Sequence, residues 1–373
     1  MVIARGKMKQ WVTAQDGLDN LRLVEAEKPT PKDGEVLVQI NAVSLNYRDT
    51  EVVMGLYSHH KAIGQAQDLV PCSDICGTIV SSRSPAWKEG QRVMGTFNQS
   101  HVTGQIKEKD MKTGLGLPLP GCLTEFRCFP AEGLVAVPDY LTDEEAATLP
   151  IASVTAWMAI NGMRPMGQPA NNNNKKDSSG VTETVLLQGT GGVATAGLQI
   201  AHAAGLKTII TSSSDAKLAQ AKQLGADAGI NYRQNPEWQE EVNRQSSTFH
   251  TQNGETGEAG ADIIFENGGA QTLRKSFDCI AFGGLINCIG YLSGKEEVSS
   301  DKLHTNVLAL RRNVTIKGII NGPRDRFEEM VRFYAEHEIR PVIDRVVGFE
   351  EAREGLKYLF SGSHFGKVVV RVS

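Results

Sequence analysis

The sequence predicts an α/β protein of two domains: a β-rich domain built from both chain ends, and a doubly wound parallel sheet covered by helices. Three observations carry this. At 373 residues the chain exceeds one ordinary core. Its first third reads as short strands and turns. After residue 184, strands alternate with helices, the pattern of a sheet covered on both faces.

In the first part, the turn Pro31-Lys32-Asp33-Gly34 leads into the alternating run 35–40. Further β-rich runs follow at 77–80, 91–95 and 134–137. Thr142-Asp143-Glu144-Glu145 places a capping hydroxyl and acids before Ala146-Ala147, a helix start. Later strands are expected at 184–188, 208–211, 261–265 and 284–289, with helices at 193–204 and 216–224. The last run, 366–372, is a strand expected to rejoin the N-terminal part. Two polar stretches, 168–180 with Asn171-Asn172-Asn173-Asn174-Lys175-Lys176 and 256–260, lack apolar residues to bury and read as surface loops.

Composition excludes several classes. Hydrophobic residues make up 40%, charged ones 22%, and the formal charge is −4, so no basic excess invites nucleic acid. No apolar stretch is long enough to span a bilayer. The first nine residues carry Arg5, Lys7 and Lys9 without an apolar block, so a cytoplasmic location is expected. The six cysteines are scattered. Cys72 and Cys76 lack the further ligands that zinc needs, so buried free thiols are expected.

The run Gly189-Thr190-Gly191-Gly192-Val193-Ala194 follows a buried strand and opens a helix. Gly189 permits the tight turn, Gly191 lets backbone N–H groups approach a pyrophosphate, and small Ala194 permits close helix–strand packing. The helix N-terminus favours the phosphates. An NAD enzyme usually offers a carboxylate at the end of the next strand. Here that place reads Thr211-Ser212-Ser213-Ser214. Hydroxyls suit a 2′-phosphate and Lys217 adds a cation, while Asp215 reads either as a carboxylate reaching the ribose or as a helix-start acid; NADPH is the expected cofactor.

These residues resemble the medium-chain dehydrogenase/reductase superfamily, particularly its zinc-free, quinone-oxidoreductase-like and alcohol-dehydrogenase-like branch. The resembling segments include Ser44-Leu45-Asn46-Tyr47-Arg48-Asp49, Pro71-Cys72-Ser73-Asp74, Leu224-Gly225-Ala226-Asp227 and Phe365-Gly366-Lys367. The resemblance implies a GroES-like β domain (1–150 and 335–373) and a Rossmann-type domain (151–334). It places Thr155, Ser212, Lys217 and Tyr232 along the dinucleotide. Asn267, Gly290, Tyr291, Phe365 and Lys367 approach its ribose, nicotinamide or phosphates. Zinc-containing members have a catalytic Cys where this chain has Asn46, and Gly-His-Glu where it has Cys72-Ser73-Asp74. No metal is therefore expected. Glu266-Asn267 stands where the family is usually apolar, which bears on the shape of the substrate pocket. Relatives dimerise through the sheet edge, so a homodimer using strand 284–289 is expected.

Without zinc, hydride addition to an enone or quinone is easier than to a simple ketone, because charge spreads into an enolate. The expected activity is NADPH-dependent reduction of a small conjugated carbonyl. The Asn-rich insertion suggests a fungal source and an enoyl reductase of secondary metabolism. Tyr47 is the first candidate proton donor, or packs beneath the nicotinamide; Asn46 donates a hydrogen bond to the carbonyl, or fixes its loop. Asp49 is expected to hold Arg48 or backbone, and His59-His60 to be solvated. Two other readings stay open: an NADP-dependent alcohol dehydrogenase or ketoreductase, and a non-catalytic NADPH-binding protein.

Overall fold

The structure is a computed structural model that describes residues 6–57, 68–171, 182–249, 258–296 and 304–373. The asparagine tract from 172 on, residues 256–257 and His59-His60 lie outside the described residues. The chain divides into two compact units, Met1–Val154 with Asn321–Ser373, and Thr155–Ile320.

The first unit begins with a two-stranded hairpin, β1 (Lys7–Val12) and β2 (Arg22–Glu27). Then follow β3 (Glu35–Leu45), helix α1 (Tyr47–Val53), β4 (Asp74–Ser82), β5 (Arg92–Gly95), α2 (Glu108–Met111), β6 (Phe126–Pro130) and β7 (Leu134–Ala136). Helix α3 (Asp143–Ala147) starts as its sequence predicts: Thr142 Oγ1 accepts from Glu145 N at 3.2 Å, and Glu145 Oε2 from Thr142 N at 2.9 Å. A single π-helical turn, Leu149–Ser153, runs into α4 (Val154–Asn161).

The second unit has β8 (Thr184–Gln188), α5 (Gly192–Ala203), β9 (Lys207–Ser212), α6 (Asp215–Gln223), β10 (Ala228–Asn231) and α7 (Trp238–Phe249). It continues with β11 (Ala261–Glu266), α8 (Leu273–Cys279), β12 (Ile280–Cys288), α9 (Thr305–Arg312) and β13 (Thr315–Gly318). The strands form one parallel six-stranded sheet ordered β10-β9-β8-β11-β12-β13. Every residue of β8 is buried, which explains its unbroken apolar run. Leu186, Ile209, Ile264, Phe277 and Ile286 lie at the core of this unit.

The chain then returns to the first unit through α10 (Arg324–Glu336), β14 (Ile343–Gly348), α11 (Ala352–Phe360) and β15 (Lys367–Arg371). As expected, the last strand rejoins the N-terminal part: β15 lies between β14 and β3, antiparallel to β3, in the sheet β14-β15-β3-β4-β5-β7. Val36, Val38, Ile40, Val43 and Leu45 of β3 anchor that core with Val368 and Val370.

Two expectations are corrected. The return to the first unit comes before α10 rather than at residue 335. Helix α10 buries Phe327, Met330, Phe333 and Tyr334, and the carbonyls of Tyr334 and Ile339 accept from Tyr140 Oη at 2.9 and 2.8 Å. Residues 284–289 do not form a sheet edge, because β12 is paired on both sides; the edge strand next to it is β13, and β10 is the other. Among the described residues no helix is long and apolar enough to cross a membrane.

Candidate active site

In the second unit, Gly189 holds φ at +81°, a left-handed conformation that a side chain resists, with open space where a Cβ would sit. Its N–H donates to Thr211 Oγ1 on the neighbouring strand at 3.2 Å, fixing the turn to the sheet. Gly191 is the N-cap of α5 without a side-chain cap, so the first-turn N–H groups remain aimed outward, as an anion requires. Thr190 is buried and Val193 half-buried in this turn. Ala194 is buried too, yet the tightest helix–sheet approach is one turn later. A Cβ on Gly197 would lie 2.7 Å from Phe265 Cε1 and 2.8 Å from Leu187 Cδ2.

Beyond β9, Ser212 is buried and its Oγ accepts from Ser214 N at 3.3 Å, while Ser213 is half-buried. Ser214 caps α6 by accepting from Lys217 N. Asp215 turns to the side: its oxygens accept from Asn231 Nδ2 and Gln234 Nε2, each at 2.7 Å. Tyr232 is exposed beside this end, its N–H bonded to Ser212 O at 3.1 Å. Thr155 is buried at the start of α4.

A buried carboxylate organises the neighbouring strand ends. Glu266 Oε1 accepts from Gly268 N at 3.1 Å, Gly269 N at 2.9 Å and Thr272 Oγ1. Its Oε2 accepts from Gln188 Nε2 at 2.9 Å and from Ser276 Oγ. Gln188 Oε1 in turn accepts from Asn267 N and Gly268 N, and Asn267 Nδ2 donates to Gln188 O at 2.8 Å. Two loops are thereby tied together, since Gly290 N reaches Glu266 O and Leu292 N reaches Asn267 O. Tyr291 is half-buried there, with Lys295 Nζ 4.5 Å from its ring centre. In the sequence Glu266 stands out only as a polar residue bearing on pocket shape. Gln188 lies 78 residues from Glu266 and 88 from Ser276, so no local signal marks this cluster.

The first unit brings Asn46, Asp49, Asp74 and Lys367 together, all buried. Asn46 N donates to Asp49 Oδ2 at 2.8 Å, capping α1, and Asp49 lies 3.9 Å from Arg48. Asp49 thus holds backbone and faces Arg48, as expected. Arg48 itself donates to the carbonyls of Leu115 and Leu117. Asn46 Nδ2 donates to Asp74 Oδ2 at 2.9 Å, and Lys367 Nζ donates to Asn46 Oδ1 at 2.6 Å and Leu45 O at 2.7 Å. Asp74 also accepts from Ile151 N at 3.2 Å and Ser73 Oγ at 3.3 Å. Burial pushes the Asp74 carboxyl up to about 7 against the pull of Lys367 and Asn46; the nearby Asp49 adds to the rise. Burial pushes the Lys367 ammonium down, while Asp74 and Asp49 hold it up.

Lys367 thus directs its ammonium to Asn46 and Leu45 within the first unit, where the family resemblance places it near the ribose, nicotinamide or phosphates of the dinucleotide. Phe365 is also buried, its N–H on Asp344 Oδ1 at 3.1 Å. Tyr47 is 40% exposed and stacks on Phe360, ring centres 6.2 Å apart, a partner sequence reasoning missed. Burial, helped by Glu51, pushes the Tyr47 hydroxyl up, so it keeps its proton. The cysteines are free, four of them buried. Among the described residues no group of three or more His, Cys, Asp and Glu could hold a metal.

Both halves have counterparts in known proteins. The sequence model described as "Alcohol dehydrogenase GroES-like domain" matches residues 32–139, and that described as "Zinc-binding dehydrogenase" matches 192–336. A zinc-type alcohol dehydrogenase-like protein of Schizosaccharomyces pombe is 36% identical, covering 95% of this chain and 96% of its own. An acryloyl-coenzyme A reductase of Metallosphaera sedula is 24% identical, covering 93% and 95%. The crystal structure of a Sinorhizobium meliloti protein, provisionally named an alcohol dehydrogenase, superposes with a TM-score of 0.82 at 33% identity, over 99% of this chain and 100% of that one. The chain belongs to the medium-chain dehydrogenase/reductase superfamily. It is an oxidoreductase of that family, whose members work with a nicotinamide cofactor.

Proposed function

We propose that the protein reduces conjugated carbonyls with NADPH and without zinc. The observation that carries this reading is the Asn46 amide held between Lys367 and Asp74, in the segments where zinc-containing relatives have their ligands. An amide and one carboxylate, with an ammonium 2.6 Å from the amide oxygen, suit a divalent cation poorly. Bound NADPH supplies the hydride. The chain must then stabilise only the spread charge of an enolate, which hydrogen-bond donors such as the Asn46 amide and the Tyr47 hydroxyl can do.

The phosphate preference rests on charge. At the end of β9 Ser212, Ser213 and Ser214 offer hydroxyls near Lys217, and the Asp215 carboxylate is engaged by Asn231 and Gln234. Among the described residues at the end of β9, no unengaged carboxylate then stands ready to repel a 2′-phosphate. The acryloyl-coenzyme A reductase is named for a conjugated substrate, which agrees with this chemistry. The edge strand β13, with half-exposed Ile316 and the exposed Leu310 of α9, is the proposed dimer edge.

Following NADPH oxidation against an enone, a quinone and a plain ketone tests the reading, with and without a chelator. Turnover of the enone or quinone, indifferent to chelation, is expected. Turnover of the ketone alone, or its loss on chelation, would sink it. Tight NADPH binding with no turnover would favour the non-catalytic reading.

A further inference from the structure

The Asn46 side chain is held at both ends, by the Lys367 ammonium and by the Asp74 carboxyl. A lysine ammonium only donates, so the atom of the amide that faces it must be the acceptor oxygen. The orientation of the amide is therefore forced: Oδ1 must face Lys367 and Nδ2 must face Asp74. Nδ2 carries two protons, and Asp74 takes one. The ammonium at 2.6 Å from Oδ1 draws electron density toward the oxygen and sharpens the remaining N–H as a donor. Leu45 O accepts from the same ammonium, and Ile151 N and Ser73 Oγ hold Asp74, so neither charged group is free to swing away.

We infer that Lys367 and Asp74 are positioning residues that aim and polarise the Asn46 amide, so that its second N–H binds the carbonyl oxygen of the substrate. Lys367 activates the amide; Asp74 orients it. This rests on the reductase reading above but assigns two residues a role in it. The assignment differs from a direct role for Lys367 on the dinucleotide. Asp49 on α1 and the thiols of Cys72 and Cys122 face the same cluster, and Arg48 balances Asp49. Every hydrogen bond of the clamp itself involves only Asn46, Lys367, Asp74 and the atoms that fix them.

Selective ¹⁵N-asparagine labelling reads the clamp directly, the Asn46 side-chain signal being identified by its loss in Asn46→Asp. In the unmodified protein the two Asn46 amide protons should be well separated and slow to exchange with water; a single averaged, rapidly exchanging signal overturns the clamp without any variant. Lys367→Met should move that signal and lower kcat on an enone at least tenfold, with the NADPH Kd unchanged within twofold; Lys367→Arg, which keeps a cation, should restore part of both. Asp74→Asn, which keeps an acceptor for Nδ2, should retain more activity than Asp74→Ala. A tenfold rise in NADPH Kd for Lys367→Met, with the Asn46 signal in place, shows Lys367 serving the cofactor and overturns the inference. If the signal responds but no carbonyl is reduced by the unmodified protein, the clamp stands and the reductase reading falls. If an enone is reduced and all these variants leave its turnover unaffected, the reductase reading stands and the positioning role falls.

Discussion

Glu266 in the second unit and Asp74 in the first are both buried carboxylates, and they are solvated in opposite ways. Glu266 takes five hydrogen bonds from neutral donors: two backbone N–H groups, two hydroxyls and the Gln188 amide. Asp74 takes three, two of them at 3.2 and 3.3 Å, with the Lys367 charge close by. A carboxylate fully wrapped in dipoles serves as an anchor for loops. One that is under-solvated keeps its charge responsive, and its burial pushes it up to about 7. The molecule thus has a hub that ties loops together in the second unit and a chargeable group beside the Asn46 amide in the first.

The comparison breaks first at Glu266. Glu266→Ala strands five donors, two of them backbone N–H groups of the loop that follows Asn267, and should cost about 3–5 kcal/mol by urea unfolding. NADPH affinity should drop with it; a cost below about 1 kcal/mol would show that the hub is dispensable. Next is pH. The folded Asp74 binds its proton up to about pH 7 while the unfolded chain releases it near 3.8, so the folded state holds the extra proton between these values. Stability from this group therefore falls as pH rises through that window, by about 1.4 kcal/mol per unit at most. Asp74→Asn should remove this slope in unfolding curves taken across pH 4 to 7, and an unchanged slope would refute the assignment. Lys367, pushed down, works in the alkaline range, where stability rises with pH toward its ordinary value of 10.5.

Smaller substitutions sharpen the contrast. Ser276→Ala removes a hydroxyl that both donates to Glu266 and accepts from Gln188, and should cost about 1–3 kcal/mol. Ser73→Ala removes only the 3.3 Å contact to Asp74 and should cost less than about 1 kcal/mol, so equal losses would erase the distinction. Least of all, Asp215→Asn should change the NADPH-to-NADH preference by less than about twofold, because that carboxylate already faces Asn231 and Gln234. A larger change, read from the ratio of the two KM values, would place Asp215 against the cofactor.

What the sequence disclosed was local. The glycine turn, the Thr142 cap, the alternation of strands and helices and the hold of Asp49 on nearby backbone all depend on residues within a few positions of one another. The sequence hid what depends on distant neighbours. Lys367 and Asn46 are 321 residues apart, so nothing nearby distinguishes an ammonium facing an amide from one facing a phosphate. Gly197 looks like any helical glycine until Phe265 of β11 is placed against it. Helix α10 belongs to the other unit than the sequence suggests, because amphipathic spacing tells that a face is buried, not against what.

The antiparallel pairing of β15 with β3 also bears on how the chain is made. Asn46 leaves the ribosome long before Lys367, and the whole second unit is synthesised in between. Until the last strand arrives, residues 42–45 of β3 lack a partner on one side and Asp74 lacks the Lys367 ammonium beside it. A nascent or C-terminally clipped chain has every strand of the parallel sheet, yet it lacks the lysine that faces the Asn46 amide. Loss of residues 367–373, the whole of β15 with its flank, should therefore leave a protein that binds NADPH but does not oxidise it against an enone.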